Sequence, residues 1–260
     1  CDELGSLMAT GVHVTDGNCR ADDFVELGGV GFDLVAHPTN RRAYVSIPSL
    51  GLIRSIDLET FAIVETLDVP RGEPRGLDLT PDGTTLVAAL DDAGAVAFID
   101  LGTGDTDVVD FSAIVDSFTA NDVIAVDNEW TIAAAYTGGD NVARVMRFFE
   151  WPISGSPSLR SSPFLGITPD RTTAFVGDSQ SPNSLFRIDL IQSGFPVVGE
   201  NNPGDVSGVS HYDVSVDGLS IFTSTGQIID ALTLVPNGQL AHGRSTVSAD
   251  GSSSQTARRF

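Results

Sequence analysis

The feature that most constrains the fold of this sequence is a repeat of about 43 residues. The tripeptide Ile-Asp-Leu occurs at residues 56–58, 99–101 and 188–190, so its aspartates lie 43 and 89 residues apart. A proline precedes each of these aspartates by 19 or 20 residues, at positions 38, 81 and 169. Two markers that keep the same offset indicate a chain built from copies of one supersecondary unit.

Each unit predicts four short strands. In the second unit, residues 76–79 alternate in polarity, residues 81–83 read Pro-Asp-Gly, and three further apolar stretches follow at residues 85–89, 95–101 and 105–111. Pro presets φ, Asp bonds the backbone two residues on, and Gly accepts positive φ, so Pro-Asp-Gly predicts a tight turn. Asp57, Asp100 and Asp189 end the third strand, and we expect them to accept backbone N–H groups in the next turn.

Four antiparallel strands that recur every 40 to 45 residues predict an all-β fold, a β-propeller of four-stranded antiparallel blades. Weaker copies of the turn bring the number of units to six. We expect one domain over residues 1–260, with closing strands in 1–30, five full blades in 31–243 and the start of the last blade in 244–260. Pairing of the N-terminal strands with the C-terminal strands would close the six-bladed ring and remove open sheet edges. The alternative is a part of a propeller with seven or more blades.

Two segments of the repeat carry a family resemblance. Residues 42–46, Arg-Ala-Tyr-Val-Ser, follow His37 and Pro38, and Pro-Asp-Gly at residues 81–83 leads into Leu-Val-Ala at 86–88. These segments resemble the repeats of YVTN-type β-propellers, over most of residues 31–260. The resemblance implies the fold only, because such propellers include lactonases, cofactor-binding domains and surface-layer proteins. Residues 252–257, Ser-Ser-Ser-Gln-Thr-Ala, depart from the pattern and predict a poor strand.

The charge of the sequence excludes several classes of partner. It contains 35 Asp and Glu against 14 Arg, with no Lys, which gives a formal net charge of −21. Nucleic acids and anionic membrane surfaces bind clustered cations, so neither is expected as a partner. The sequence has no run of 18 apolar residues, so it predicts no transmembrane helix. Abundant carboxylates without Lys favour a salt-rich or exported setting, so the predicted location is extracytoplasmic: periplasmic, at the cell surface or secreted.

The two cysteines leave three alternatives open. A chain that opens on Cys1 resembles a mature bacterial lipoprotein, which implies a lipid anchor at that residue. A disulfide between Cys1 and Cys19 is the competing interpretation for an exported chain, and two reduced cysteines are the third.

Candidate site residues follow from aligning the units. In propellers the ligand site commonly lies at one mouth of the central channel, where each blade contributes the position before its innermost strand. The aligned positions predict a ligand-binding site made of Asp33, Arg75, Asn121, Asp122, His211 and Arg244. Asp33 and Asp122 are candidate metal ligands, because carboxylate oxygens bind Ca²⁺ or Mg²⁺. The alternative is that the acids and arginines pair and form a polar channel lining.

The common catalytic motifs are missing from the sequence, which weakens the prediction of an enzyme without removing it. The predicted function is that of an extracytoplasmic binding or scaffold propeller that recognises a protein partner or a small ligand on one disc face. The first alternative is a metal-dependent hydrolase, lactonase-like by the family resemblance, in which His211 and Asp213 act as base and orienting group. The second alternative is a structural subunit of a cell-surface layer or filament.

Overall fold

The structure is a computed structural model of the 260-residue chain. It describes residues 11–13, 24–110, 118–128, 130–137, 140–147, 158–159, 164–178, 183–192, 196–202, 204–209, 211–240, 246–247 and 253–254. Cys1 and Cys19, on which the predicted disulfide and lipid anchor depend, lie outside the described residues, as does Arg244. None of the helical segments that the structure describes is long and apolar enough to span a lipid bilayer.

The described strands form five four-stranded antiparallel sheets, which we number blades 1 to 5, and two separate hairpins. The first hairpin contains β1 (Gly11–His13) and β2 (Phe24–Glu26). Blade 1 contains β3 (Leu34–Ala36), β4 (Arg42–Ile47), β5 (Leu52–Asp57) and β6 (Ala62–Asp68). Blade 2 contains β7 (Pro74–Leu79), β8 (Thr85–Leu90), β9 (Ala95–Asp100) and β10 (Thr106–Asp110). Blade 3 contains β11 (Phe118–Ala125), β12 (Trp130–Thr137), β13 (Asp140–Arg147) and β14 (Ser158–Leu159).

Blade 4 contains β15 (Phe164–Ile167), β16 (Thr173–Asp178), β17 (Ser184–Asp189) and β18 (Val197–Glu200). Blade 5 contains β19 (Tyr212–Val214), β20 (Ser220–Thr223), β21 (Gln227–Asp230) and β22 (Pro236–Gln239). The second hairpin contains β23 (Thr246–Val247) and β24 (Ser253–Ser254). The first strands of successive blades contact one another: β7 lies against β3, β11 against β7, β15 against β11 and β19 against β15. This arrangement places the first strand of each blade innermost.

The predicted number of six blades is wrong for the part of the chain that the structure describes. The β1–β2 hairpin and the β23–β24 hairpin each pair with themselves, and no ladder joins the two hairpins among the described strands. Val25 of β2 and Leu27, directly after this strand, are buried against blade 1 in a cluster with Ile47. In the part of the C-terminal segment that the structure describes, each strand has two residues, so no sixth four-stranded blade is formed there.

The core lies between the blades, as the sequence of β8 illustrates. This strand reads Thr-Leu-Val-Ala-Ala-Leu and is almost wholly buried. Its Leu86 faces blade 1 and packs in one cluster with Tyr44, whereas Val87 faces blade 3 and packs in another with Val123. Both faces of the blade are covered, so the strand is apolar at successive positions instead of alternating with polar residues.

Aspartates organise both kinds of turn at one end of the blades. In the turn between the first and second strands of blade 2, Asp82 Oδ1 accepts the N–H of Thr84 at 3.0 Å and the hydroxyl of Thr80 at 2.7 Å. In the turn after β5, Asp57 Oδ1 accepts the N–H of Thr60 at 2.8 Å. Asp100 and Asp189 make the same kind of bond after β9 and β17, so the structural role predicted for these aspartates is confirmed.

Candidate functional site

Three aspartates on the innermost strands join neighbouring blades. Oδ1 of Asp33 accepts the N–H of Leu34 in its own blade, and Oδ2 accepts the N–H of Leu77 in blade 2, both at 2.8 Å. The other two aspartates repeat this arrangement. Asp78 accepts from Leu79 at 2.8 Å and from Ala125 of blade 3 at 2.9 Å, and Asp122 accepts from Val123 at 2.9 Å and from Leu165 of blade 4 at 2.7 Å. Each carboxylate therefore cross-links two blades through their backbones.

Asp33 and Asp122, predicted from their equivalent positions two repeats apart, influence each other's ionisation. Burial raises the pKa of Asp33 from 3.8 to about 6 against the effect of its two N–H donors, and the charges of Asp78 and Asp213 add to the rise. Burial also raises the pKa of Asp122 well above its usual value, and the negative charge of Asp33 raises it further. These two carboxyls therefore bind protons more tightly than exposed carboxyls do.

A glycine makes the approach of Asp122 to blade 2 possible. Gly76 occupies the position of blade 2 that aligns with Asp33, and a Cβ atom there would lie 2.2 Å from Asp122 Oδ1 and 2.6 Å from its Cα. Any side chain at this position would displace the backbone of blade 3. In blade 2 the carboxylate that bonds the next blade therefore belongs to Asp78, two residues after Gly76 in β7.

Aromatic rings surround the channel mouth next to these carboxylates. The His211 ring lies 4.3 Å from the Phe164 ring, between centroids, and 6.5 Å from the Phe32 ring. The Arg75 guanidinium carbon lies 5.3 Å from the centre of Phe32, and its Nη2 forms an ion pair of 2.6 Å with Asp91. These contacts bring blade 1 next to the chain that enters blade 5, so the inner edges of the five described blades surround one axis.

The structure describes five of the six predicted mouth residues, and they lie on or directly before the innermost strands of blades 1, 2, 3 and 5. Asn121 is buried beside Asp122 at 3% exposure, whereas His211 is exposed. Among the residues that the structure describes, no group of three or more His, Cys, Asp or Glu is arranged to hold a metal ion. Asp33 and Asp122 as metal ligands stay a prediction.

Arg171 is a channel residue that was not among the predicted site residues. It stands in the turn position held by Gly83 in blade 2 and adopts a φ of 55°, where the glycine has 71°. For a residue with a side chain this conformation costs on the order of 1 kcal/mol. The guanidinium crosses the channel: Nη1 lies 3.3 Å from Asp78 Oδ2 and also donates to the carbonyl oxygen of Ala125. The signal in the sequence for this residue was an arginine at a turn position where other repeats have glycine.

A cavity of about 680 Å³ opens at the end of the channel where the turns between the first and second strands lie. Arg171 and Asp78 line it together with turn residues of blades 1 to 4, among them Pro38, Pro81 and Asp127. Its volume lies in the range of small-molecule sites. However, the Arg171 guanidinium is already bonded to blades 2 and 3, so the cation in this cavity serves to join blades.

The turns between the first and second strands and between the third and fourth strands lie at the same end of each blade, because the strands are antiparallel. We call this end of the propeller the turn face. A backbone hydrogen bond of 2.8 to 3.0 Å joins the two turns in blades 1, 2, 4 and 5. The accepting carbonyls belong to Arg41, Thr84, Thr172 and Leu219, and the residues after the donors are Glu59, Gly102, Ile191 and Leu232. These bonds align two surface positions across the repeats.

The aligned positions differ in chemistry between the two halves of the turn face. In blade 1 they hold Arg41 and Glu59, which form an exposed ion pair of 3.2 Å. In blade 5 they hold Leu219 and Leu232, which are 66% and 73% exposed. Ile191 in blade 4 is 77% exposed. Together with the exposed Val216 and Val235 of the same turns, these three side chains form what we call the apolar patch.

Comparison with known proteins supports the fold. No family model matches the chain, and no curated protein matches it. A solved chain of hydrazine synthase from Kuenenia stuttgartiensis is similar in structure, with a TM-score of 0.66 and 17% identity, over 92% of this chain and 75% of that chain. In all, 1264 solved chains match, so the fold is a common one. At this identity the likeness shows the fold alone, which is a β-propeller of four-stranded antiparallel blades.

Proposed function

We propose that this chain is a binding propeller that engages a protein partner through the turn face of blades 4 and 5. The observation that carries the proposal is the exposed pair Leu219 and Leu232, which stands where blade 1 has the ion pair Arg41 and Glu59. Single exposed aliphatic side chains are ordinary on a protein surface, but contiguous apolar patches mark interaction sites. The repeat itself supplies the comparison: the same backbone position accepts charged residues elsewhere in the ring.

The carboxylates of the channel mouth support a binding function over catalysis. Both oxygens of Asp33 and of Asp122 accept backbone N–H groups, one from the same blade and one from the next blade. A carboxylate held in this way stabilises the ring and keeps one fixed orientation. Removing such a carboxylate would primarily lower the stability of the fold.

We also propose that the chain works outside the cytoplasm and belongs with YVTN-type propellers. The absence of Lys and the net charge of −21 support a salt-rich or exported setting, where hydrated carboxylates maintain solubility. The resemblance of residues 42–46 and 81–88 to YVTN-type repeats supports the second part. A lipid anchor at Cys1, a Cys1–Cys19 disulfide and a role in a cell-surface layer remain predictions from the sequence.

A metal-dependent hydrolase is the second candidate, and one observation favours it. Asp33 and Asp122 lie in one channel mouth, close enough for the charge of Asp33 to raise the pKa of Asp122. A bound Ca²⁺ would offset the repulsion between the two ionised carboxylates. His211 stands at the same mouth, next to Phe164.

Site-specific photo-crosslinking in the native host tests the binding function. A benzoyl-phenylalanine in place of Leu232 samples the turn face. The same group in place of Leu50, which is 47% exposed in the turn between β4 and β5 at the opposite end of blade 1, is the matched control. The proposal predicts a discrete protein adduct from position 232 and none from position 50. Equal adducts from both positions, or none from either, would contradict it.

A further inference from the structure

We infer that the partner segment presents aliphatic side chains flanked by Lys or Arg and that it lies on the apolar patch of blades 4 and 5. This inference rests on the proposed function and adds the chemistry of the partner. Three features of the described residues carry it: hydrogen bonds join the segments that bear the patch, each of its most exposed side chains lies beside a carboxylate, and cations are scarce around it.

Hydrogen bonds hold the segments of the apolar patch side by side. The N–H of Ala231 donates to the carbonyl oxygen of Leu219 at 3.0 Å, which places Leu219 next to Leu232. The Arg187 guanidinium of β17 donates to the carbonyl oxygen of Leu232 and ties blade 4 to this turn of blade 5. Ile191 follows β17 by two residues, in the turn of blade 4 at the same end of the propeller.

Each of the three most exposed aliphatic residues is anchored by an aspartate two residues before it. Oδ1 of Asp189, Asp217 and Asp230 accepts the N–H of Ile191, Leu219 and Leu232 at 2.8, 3.0 and 3.1 Å, respectively. Hydrogen bonds within the turns, led by those from Ile191, Ser215 and Thr233, lower the pKa of these three carboxyls. The patch therefore alternates aliphatic side chains with carboxylates that are ionised at neutral pH.

Few cations offset these carboxylates. Residues 211–240, which form blade 5, contain three Asp and no Arg or Lys. Arg187 is the cation that the structure places against the Leu232 turn, and its guanidinium is bonded to the backbone there. An aliphatic surface edged by ionised carboxylates is complementary to aliphatic side chains flanked by cations.

The same charge argues against other occupants. A second copy of the chain would bring Asp189, Asp217 and Asp230 of one copy toward acids of another chain with a net charge of −21. An anionic membrane surface would be repelled in the same way. A basic polypeptide is attracted, and its association would weaken as salt screens the charges.

A random peptide display library, selected on the intact protein, tests the inference. The Leu219→Arg/Leu232→Glu variant places the blade 1 ion pair in blade 5 without a change in net charge. The matched control is Thr84→Arg/Gly102→Glu, which makes the same pair at the aligned positions of blade 2. Selected peptides should combine Leu, Ile, Val or Phe with an excess of Lys and Arg. They should lose affinity about tenfold or more on the blade 5 variant and keep it on the control.

The outcomes separate this inference from the proposed function. Suppose that peptides need Leu219 and Leu232 yet are acidic, or bind with the same affinity at about 0.05 and about 0.5 M NaCl. Either result would overturn the inference that the partner is basic, while the turn face would stand as a binding site. Peptides that bind the wild type and the blade 5 variant equally would contradict both. Failure to recover any patch-dependent peptide, or a dimer that the blade 5 variant dissolves, would overturn the inference.

Discussion

Arg171 and Asp78 form an ion pair of 3.3 Å that spans the central channel from blade 4 to blade 2. Their side chains are 25% and 14% exposed, so the pair is largely withdrawn from water. Burial raises the pKa of Asp78, and the positive charge of Arg171 opposes that rise. Because the carboxylate also bonds the N–H of Ala125, one group connects blades 2, 3 and 4.

Replacing Arg171 with glycine should lower the free energy of unfolding, although glycine suits the turn better. The substitution removes a positive-φ side chain, which is worth a gain of about 1 kcal/mol, but it leaves Asp78 without its cation. Losing one partner of a largely buried pair costs about 3 kcal/mol, so we expect a net loss of about 2 kcal/mol in urea unfolding.

Arg71→Gly is the matched control for this prediction. Arg71 also has a positive φ, of 71°, and its ion pair of 2.8 Å with Asp110 is exposed, with 62% of the arginine side chain accessible. An exposed pair contributes little, so this variant should be as stable as the wild type or slightly more stable. Equal effects of the two glycine substitutions would contradict a stabilising role for the Arg171 pair.

The channel carboxylates should make the protein less stable as the pH rises above 4. Asp33 and Asp122 bind a proton more tightly in the folded chain than in the unfolded chain, because their pKa values are raised on folding. This contribution is complete below the unfolded pKa of 3.8 and is lost as the pH rises through the folded value, about 6 for Asp33. In urea unfolding between pH 4 and pH 7, Asp33→Asn should therefore show a smaller decline than the wild type.

The turn carboxylates act in the opposite direction and provide the control. Hydrogen bonds in the turns lower the pKa of Asp57, Asp82, Asp100, Asp170, Asp189, Asp217 and Asp230. Their stabilisation is present above the unfolded pKa and is lost as the pH falls through the lower folded values. Asp217→Asn should remove this stabilisation above about pH 4, reduce the loss of stability on acidification below that pH, and leave the slope between pH 4 and pH 7 unchanged. Identical slopes for Asp33→Asn and the wild type would contradict the assignment.

Calcium should have little effect on the melting temperature. Because backbone N–H groups already bond both oxygens of Asp33 and of Asp122, we expect chelator and added Ca²⁺ to give melting temperatures within about 1 °C of each other. NaCl at matched ionic strength controls for screening of the acidic surface. A rise of several degrees specific to Ca²⁺ would favour the hydrolase over the binding propeller.

Salt should stabilise the protein. A net charge of −21 with no Lys implies repulsion among carboxylates that no nearby ammonium groups relieve. Raising NaCl from about 0.05 to about 1 M screens this repulsion and should raise the melting temperature and the solubility. Indifference to salt in both measurements would contradict the proposed salt-rich or exported setting.

The sequence was sufficient to predict the blades, because their signals are local. Turn residues such as Pro81 and Asp82 act on the backbone within a few positions, and the Ile-Asp-Leu tripeptides mark the end of the third strand in blades 1, 2 and 4. The number of blades was not predictable in this way. It depends on which strands the short terminal strands contact, and local patterns do not determine this. Val25 and Leu27, for example, are buried against blade 1.

The residues of the channel were only partly predictable, because contacts between blades join residues far apart in the sequence. Asp33 and Asp122 were found because they occupy the same position in units two repeats apart. Asp78 was missed, since a register shift between Pro74 and Leu77 moves the cross-linking carboxylate along the strand. Arg171 bonds a carboxylate 93 residues away in the sequence, and local patterns hold no information about such a partner.

The most direct test of the central claim is quantitative co-purification from the native host with three tagged chains: the wild type, Leu219→Arg/Leu232→Glu and Thr84→Arg/Gly102→Glu. Matching melting temperatures would establish that all three are folded, as expected for changes at exposed positions. The account predicts a partner that the wild type and the blade 2 variant recover in equal amounts and that the blade 5 variant recovers at about a tenth of that level or less. Equal recovery of every interacting protein by all three chains would contradict it.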